Sequence, residues 1–60
     1  MSKPIYEIEG CDISTLKVGS RINILLKSGT WVKTSPAVKV LGHPSGKVWI
    51  ETKNSIYSNY

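Results

Sequence analysis

The sequence predicts an all-β fold: one small antiparallel sheet, or a partly open barrel, of five to six short strands. Three observations carry this. Val, Ile, Thr, Trp and Tyr dominate the candidate segments, and apolar residues alternate along them, as on a half-buried pleated strand. Pro4, Pro36 and Pro44, with Gly10, Gly19, Gly29, Gly42 and Gly46, interrupt the chain at short intervals. Helix signals are nearly absent. So many short strands need closure to protect their edges. No segment repeats another and no linker divides the chain, so residues 1–60 read as a single domain.

The first strand is expected over Ile5 to Glu9, with Tyr6 and Ile8 on one side and Ile5, Glu7 and Glu9 on the other. Gly10 to Ser20 reads as a connector whose buried anchors are Leu16 and Val18. Asp12 or Ser14 is placed to cap a single helical turn there. The second strand (Arg21 to Leu26) and the third (Thr30 to Ser35) form a hairpin. Lys27-Ser28-Gly29 is its three-residue loop, with Gly29 in the left-handed position. That register puts Leu26 opposite Thr30, Ile24 opposite Val32 and Ile22 opposite Thr34 on the core face. The reverse face pairs Leu25 with Trp31, Asn23 with Lys33 and Arg21 with Ser35. Ser35-Pro36 ends the hairpin, because proline has no N–H for a central ladder. The fourth strand, Ala37 to Leu41, is expected to face Val38 and Val40 inward. After the polar turn Gly42 to Gly46, the fifth strand (Lys47 to Thr52) faces Val48 and Ile50 inward. Lys53-Asn54 turns the chain into a last short strand or tail, Ser55 to Tyr60.

Composition narrows the function classes. At 60 residues and 6.6 kDa, such a domain buries only about 60% of its unfolded surface. This argues against a deep enzyme pocket and for one small core, completed by a partner or a second copy. Hydrophobic residues at 40% and charged residues at 20% are ordinary globular values, which excludes wholesale disorder. Cys11 is the only cysteine, so an intramolecular disulfide framework is excluded. The N-terminus lacks the apolar run of a signal peptide. The longest apolar run, Ile24-Leu25-Leu26, is far short of the roughly 20 residues of a membrane span. The expectation is a cytoplasmic protein with a reduced thiol and no membrane partner.

The non-core parity gathers Leu25, Trp31, Leu41 and Trp49 on one side of the sheet, together with Lys33, Lys39 and Lys47. These seven residues form the expected interaction surface. Two tryptophans on one open face mark a binding patch, and tryptophan is the residue most enriched at hot spots. The competing arrangement is a sheet curled tightly enough to bury both rings in one core. The charge is +4, from eight Lys+Arg against four Asp+Glu, which points toward an anionic partner such as nucleic acid. The cations are scattered, however, and only Arg21 is an arginine, the residue suited to bidentate guanine or phosphate contacts.

Enzymatic motifs do not assemble. His43, the only histidine, stands in a Gly-His-Pro-Ser-Gly turn, and nothing in the sequence brings it to Cys11 or supplies a third orienting group. One Cys and one His do not make a zinc site. Glu7 and Glu9, two apart on one strand, read as a solvated edge rather than an acid–base pair. Gly42 to Val48 is one residue short of a phosphate-binding loop, lacks the Ser or Thr after Lys47, and opens a strand instead of a helix. No cofactor and no metal is expected.

Two stretches resemble known proteins. Leu16-Lys17-Val18-Gly19-Ser20-Arg21-Ile22 resembles the connector entering a strand in Src-homology-3-like barrels. Thr34-Ser35-Pro36-Ala37-Val38, followed by Thr52-Lys53-Asn54-Ser55-Ile56-Tyr57, is similar to a pattern in small uncharacterised proteins of bacteria, phages and mobile elements. The second resemblance implies a bacterial or phage source and no assigned chemistry. The expected function is a non-enzymatic protein-interaction module, a homodimer by preference. One concrete form is a phage counter-defence inhibitor docking a host protein through the tryptophan face. The alternatives are a small basic nucleic-acid-binding β-barrel and a sponge for a small anionic nucleotide.

Overall fold

The structure, a computed structural model, describes residues 2–60. It is all-β, as expected: β1 (Ile5–Cys11), a 3-10 turn (Ile13–Thr15), β2 (Asn23–Leu26), β3 (Trp31–Lys33), β4 (Ala37–Gly42), β5 (Val48–Thr52) and β6 (Ile56–Ser58). The strands form one sheet in the order β3-β2-β1-β6-β5-β4. It is mixed rather than purely antiparallel, because β1 and β6 run parallel while every other neighbouring pair is antiparallel.

The parallel pair has a topological cause. Following the strand directions around the sheet, β3 and β4 point the same way. They are one run of chain, bent at Thr34-Ser35-Pro36, whose two halves form the two edges of the sheet. Counted this way there are five runs. A meander with an odd number of strands, closed on itself, must contain one parallel pair, and it falls between the first strand and the last.

The bend also requires the sheet to roll. Six strands laid flat put the outer two about 24 Å apart. The four steps from Lys33 to Ala37 span at most about 14 Å. The rolled geometry is held by hydrogen bonds from the bent run back to the segment entering β2. Thr34 N donates to Ile22 O (3.0 Å), Ala37 N to Ser20 O (3.1 Å) and Gly19 N to Ala37 O (2.7 Å). The Thr34 side chain is buried at this corner. Its hydroxyl accepts from Ile22 N (3.1 Å) and donates to Ser35 O (2.7 Å).

Inside the roll lie Ile8, Ile22, Ile24, Ala37, Val48 and Ile50, with Cys11, Leu16, Leu26, Val40 and Tyr57 packed against them. The expected β2–β3 register is present: Asn23 faces Lys33, Ile24 faces Val32 and Leu25 faces Trp31. Both long hairpins use the same turn chemistry. Gly29 N bonds to Leu26 O and Leu26 N to Thr30 O, each at 2.9 Å. Likewise Gly46 N bonds to His43 O (2.9 Å) and His43 N to Lys47 O (2.8 Å). Gly29 and Gly46 take φ +89° and +92°, the left-handed conformation that a three-residue hairpin loop needs.

Val32, expected on the core face opposite Ile24, is 38% exposed on the edge strand, while two bulges account for other departures. The β4–β5 ladder pairs Ala37 with Thr52 and then Lys39 with Glu51, so Val38 is the unpaired extra residue. Ala37 therefore takes the inward place expected of Val38, which is 53% exposed. A second irregularity at Glu9 lets β1 continue to Cys11, past the expected end at Glu9, and returns Cys11 to the core side opposite Ile24. Val18, expected as a buried anchor, is exposed; Leu16 alone anchors the connector. Tyr6, expected on the same side of the strand as Ile8, is half-exposed. It stacks on Tyr57 across the parallel pair, with ring centroids 5.5 Å apart.

Thr34→Val removes the corner hydroxyl while conserving volume, and leaves a buried Ile22 N–H unpaired. We expect a loss of about 1–3 kcal/mol in urea unfolding. A neutral or stabilising result contradicts the role of this corner.

Candidate functional site

The seven residues expected on one surface are divided between the two long hairpins. Leu25, Trp31 and Lys33 lie on β2–β3, at one end of the strand order. Lys39, Leu41, Lys47 and Trp49 belong to β4–β5, at the other end. The two tryptophans have different surroundings. Trp49 is half-buried, faces Leu41 across the ladder, and carries the Lys39 ammonium 5.7 Å from its ring centroid. It helps to build its hairpin. Lys47 is also used internally, donating to the Asn59 carbonyl (3.3 Å). Trp31 faces Leu25 and is 57% exposed.

Trp31 forms one wall of an open groove of 690 Å³ lined also by Cys11, Asp12, Ile13 and Asn23. That volume lies in the range of small-ligand sites, but this one is shallow. Its opposite wall is the 3-10 turn. Asp12 caps the turn: its Oδ1 accepts from Ser14 N (3.1 Å) and Ser14 Oγ (2.7 Å). Three further bonds fix the turn against β2. Asp12 N donates to Asn23 O (2.9 Å), Asn23 N donates to Thr15 Oγ1 (3.1 Å), and Thr15 Oγ1 donates to Asp12 O (2.7 Å). The groove is therefore pre-formed, with its polar groups fixed on backbone bonds rather than on a free loop. Gly10, across the ladder from Leu25, adds no side chain, and a Cβ there would meet nothing within 4 Å.

The charges are arranged unevenly. Glu9 pairs with Lys27 (3.7 Å) and Glu51 with Lys3. Asp12 has no cationic partner among the described residues. The Ser14 hydroxyl and amide, and then the Asn23 side chain, hold its carboxyl below the usual carboxylate range. The Cys11 thiol is pushed up, chiefly by burial and then by the Asp12 charge, which disfavours the nucleophilic thiolate. His43 is engaged in its own turn, where Nδ1 accepts from Ser45 N (3.1 Å) and lies 2.7 Å from Ser45 Oγ. Among the described residues no three His, Cys, Asp or Glu side chains gather as a metal site.

Sequence reasoning identified Trp31 and missed its groove partners Cys11, Asp12, Ile13 and Asn23. The available signal was the Asp12-x-Ser14 cap, which places a turn beside β2 only once the β1–β2 pairing is known.

Single-tryptophan variants separate the two environments. In Trp49→Phe the remaining Trp31 should emit further to the red and be quenched more steeply by acrylamide than Trp49 in Trp31→Phe. Equal quenching contradicts the assignment of Trp31 as the open ring.

No protein-family model matches the chain, and neither a curated protein nor a solved structure is significantly similar to it.

Proposed function

We propose that the protein is a non-enzymatic protein-interaction module that docks its partner on the β2–β3 hairpin, with Trp31 as the anchor. The observation that carries this reading is the exposed Trp31 indole standing over a rigid groove, in a chain with only six buried apolar side chains among the described residues. Large aromatic residues at pre-formed concave sites are the typical anchors of protein interfaces.

The edge of the sheet supports the same reading. Leu26 N donates to Thr30 O, and Thr34 N donates to Ile22 O. By the alternation of an antiparallel ladder, the N–H and C=O of Trp31 and Lys33 then point away from β2. They lie on the edge strand, beside the anchor ring, and are available to an added strand.

A basic nucleic-acid-binding module is the second reading. It is favoured by Arg21, Lys33 and Lys39, which have no carboxylate partner among the described residues. Two features favour the protein reading over it. The groove beside Trp31 holds an ionised Asp12, which repels phosphate. Nucleic-acid binding would use the tryptophans as stacking platforms, and the face of Trp49 is occupied by Lys39.

The test is photo-crosslinking from p-benzoylphenylalanine at position 31, followed by calorimetry with the purified crosslinked protein. Trp31→Ala should weaken binding roughly 30-fold or more, as hot-spot tryptophans do. Leu41→Ser, on the other hairpin, should leave it within about two-fold. Unchanged affinity for Trp31→Ala overturns the proposal. So does crosslinking to nucleic acid with affinity that collapses between about 50 and 200 mM salt.

A further inference from the structure

The groove has a chemical preference that the docking proposal does not specify. Three of its features point to one kind of group. It has an aromatic wall, the exposed Trp31 ring, whose face attracts cations. It has a carboxylate, Asp12, fixed in place by two hydrogen bonds to Oδ1 from Ser14 and flanked by the Asn23 side chain. It also has an apolar rim, Ile13, which is 64% exposed, with Cys11 beside it.

The chain does not answer this carboxylate itself. It carries eight Lys and Arg side chains, and both ion pairs among the described residues are made elsewhere, at Glu9 and Glu51; Glu7 is unpaired as well, but of the two unpaired carboxylates only Asp12 lines the groove with the indole. No cluster of metal-ligating residues forms around Asp12 among the described residues. In a chain of charge +4, an open carboxylate without a cation, next to an open indole, calls for a cation from outside.

On these grounds, and resting on the reading of the protein as an interaction module, we propose that the groove receives an arginine side chain of the partner protein. Arginine fits better than lysine for three reasons. The guanidinium is planar and stacks on an indole. Its fork of donors matches the geometry of a carboxylate. It is also less strongly hydrated than an ammonium group, so it loses less on leaving water. The methylene stem would lie along Ile13, as long cationic side chains do on apolar surfaces.

The probe is a blocked pentapeptide, acetyl-Ser-Val-Arg-Val-Ser-amide, titrated into the ¹⁵N-labelled protein and followed by NMR. Its control carries citrulline, the neutral isostere, in place of arginine. The arginine peptide should shift the Trp31 indole and Asn23 side-chain signals with at least five-fold higher affinity than the citrulline peptide. Asp12→Asn should abolish that difference and leave the rest of the spectrum in place, because asparagine is also a good cap. Equal affinity of the two peptides at Trp31 overturns the guanidinium assignment and leaves the interaction module standing. If neither peptide shifts the groove and an oligothymidylate does, both the assignment and the module reading are overturned.

Discussion

The bend at Thr34-Ser35-Pro36 is the constraint on which the rest of the structure depends. Two three-stranded meanders, β1–β2–β3 and β4–β5–β6, are joined there by too few residues to cross a flat sheet. The sheet must roll, and β1 must meet β6 in parallel. Pro36 has no N–H to donate, which suits the point where the run leaves one ladder for the other. The buried Thr34 hydroxyl satisfies backbone groups that the ladder releases at the same point. Once the roll is set, a few isoleucines and valines suffice to fill the interior, each contributing about 1.5–3 kcal/mol by burial.

The same bend determines where the open surface lies. It sends β3 and β4 to opposite edges of the sheet, and with them the two tryptophan-bearing hairpins. On the β4–β5 side Trp49 is half-buried, with the Lys39 ammonium over its ring. On the β2–β3 side the neighbouring element is a capped 3-10 turn, too short to cover Trp31. An open ring over a fixed carboxylate is the outcome. The groove thus arises from unequal cover over two similar hairpins.

Much of this was legible in the sequence where the signal is local. The Lys27-Ser28-Gly29 loop, the β2–β3 register, the Asp12 cap and the inward Val48 and Ile50 follow from turn chemistry and period-two alternation. Two of the departures originate in single-residue insertions, whereas the exposure of Val18, Val32 and Tyr6 does not. The Val38 bulge moves Ala37 inward, and the irregularity at Glu9 carries β1 on to Cys11. Alternation alone does not reveal a bulge, because it changes parity without changing composition. Parity also places Trp31 and Trp49 on a common outer side, but it carries no information about how the sheet rolls. The placing of their two hairpins at opposite ends of the strand order comes from the long-range β1–β6 pairing. So does the assembly of Asp12, Ile13 and Asn23 beside Trp31, which needs β1 beside β2.

Amide hydrogen exchange tests the central claim, that one bent run supplies both edges of the sheet and is held at its corner, most directly. The Thr34 and Ala37 amides, bonded to Ile22 O and Ser20 O, should exchange as slowly as core amides such as Ile50. The Trp31 and Lys33 amides, on the free edge, should exchange quickly. Thr34 and Ala37 exchanging as fast as Trp31 and Lys33 would contradict the closed corner, and with it the placement of the groove.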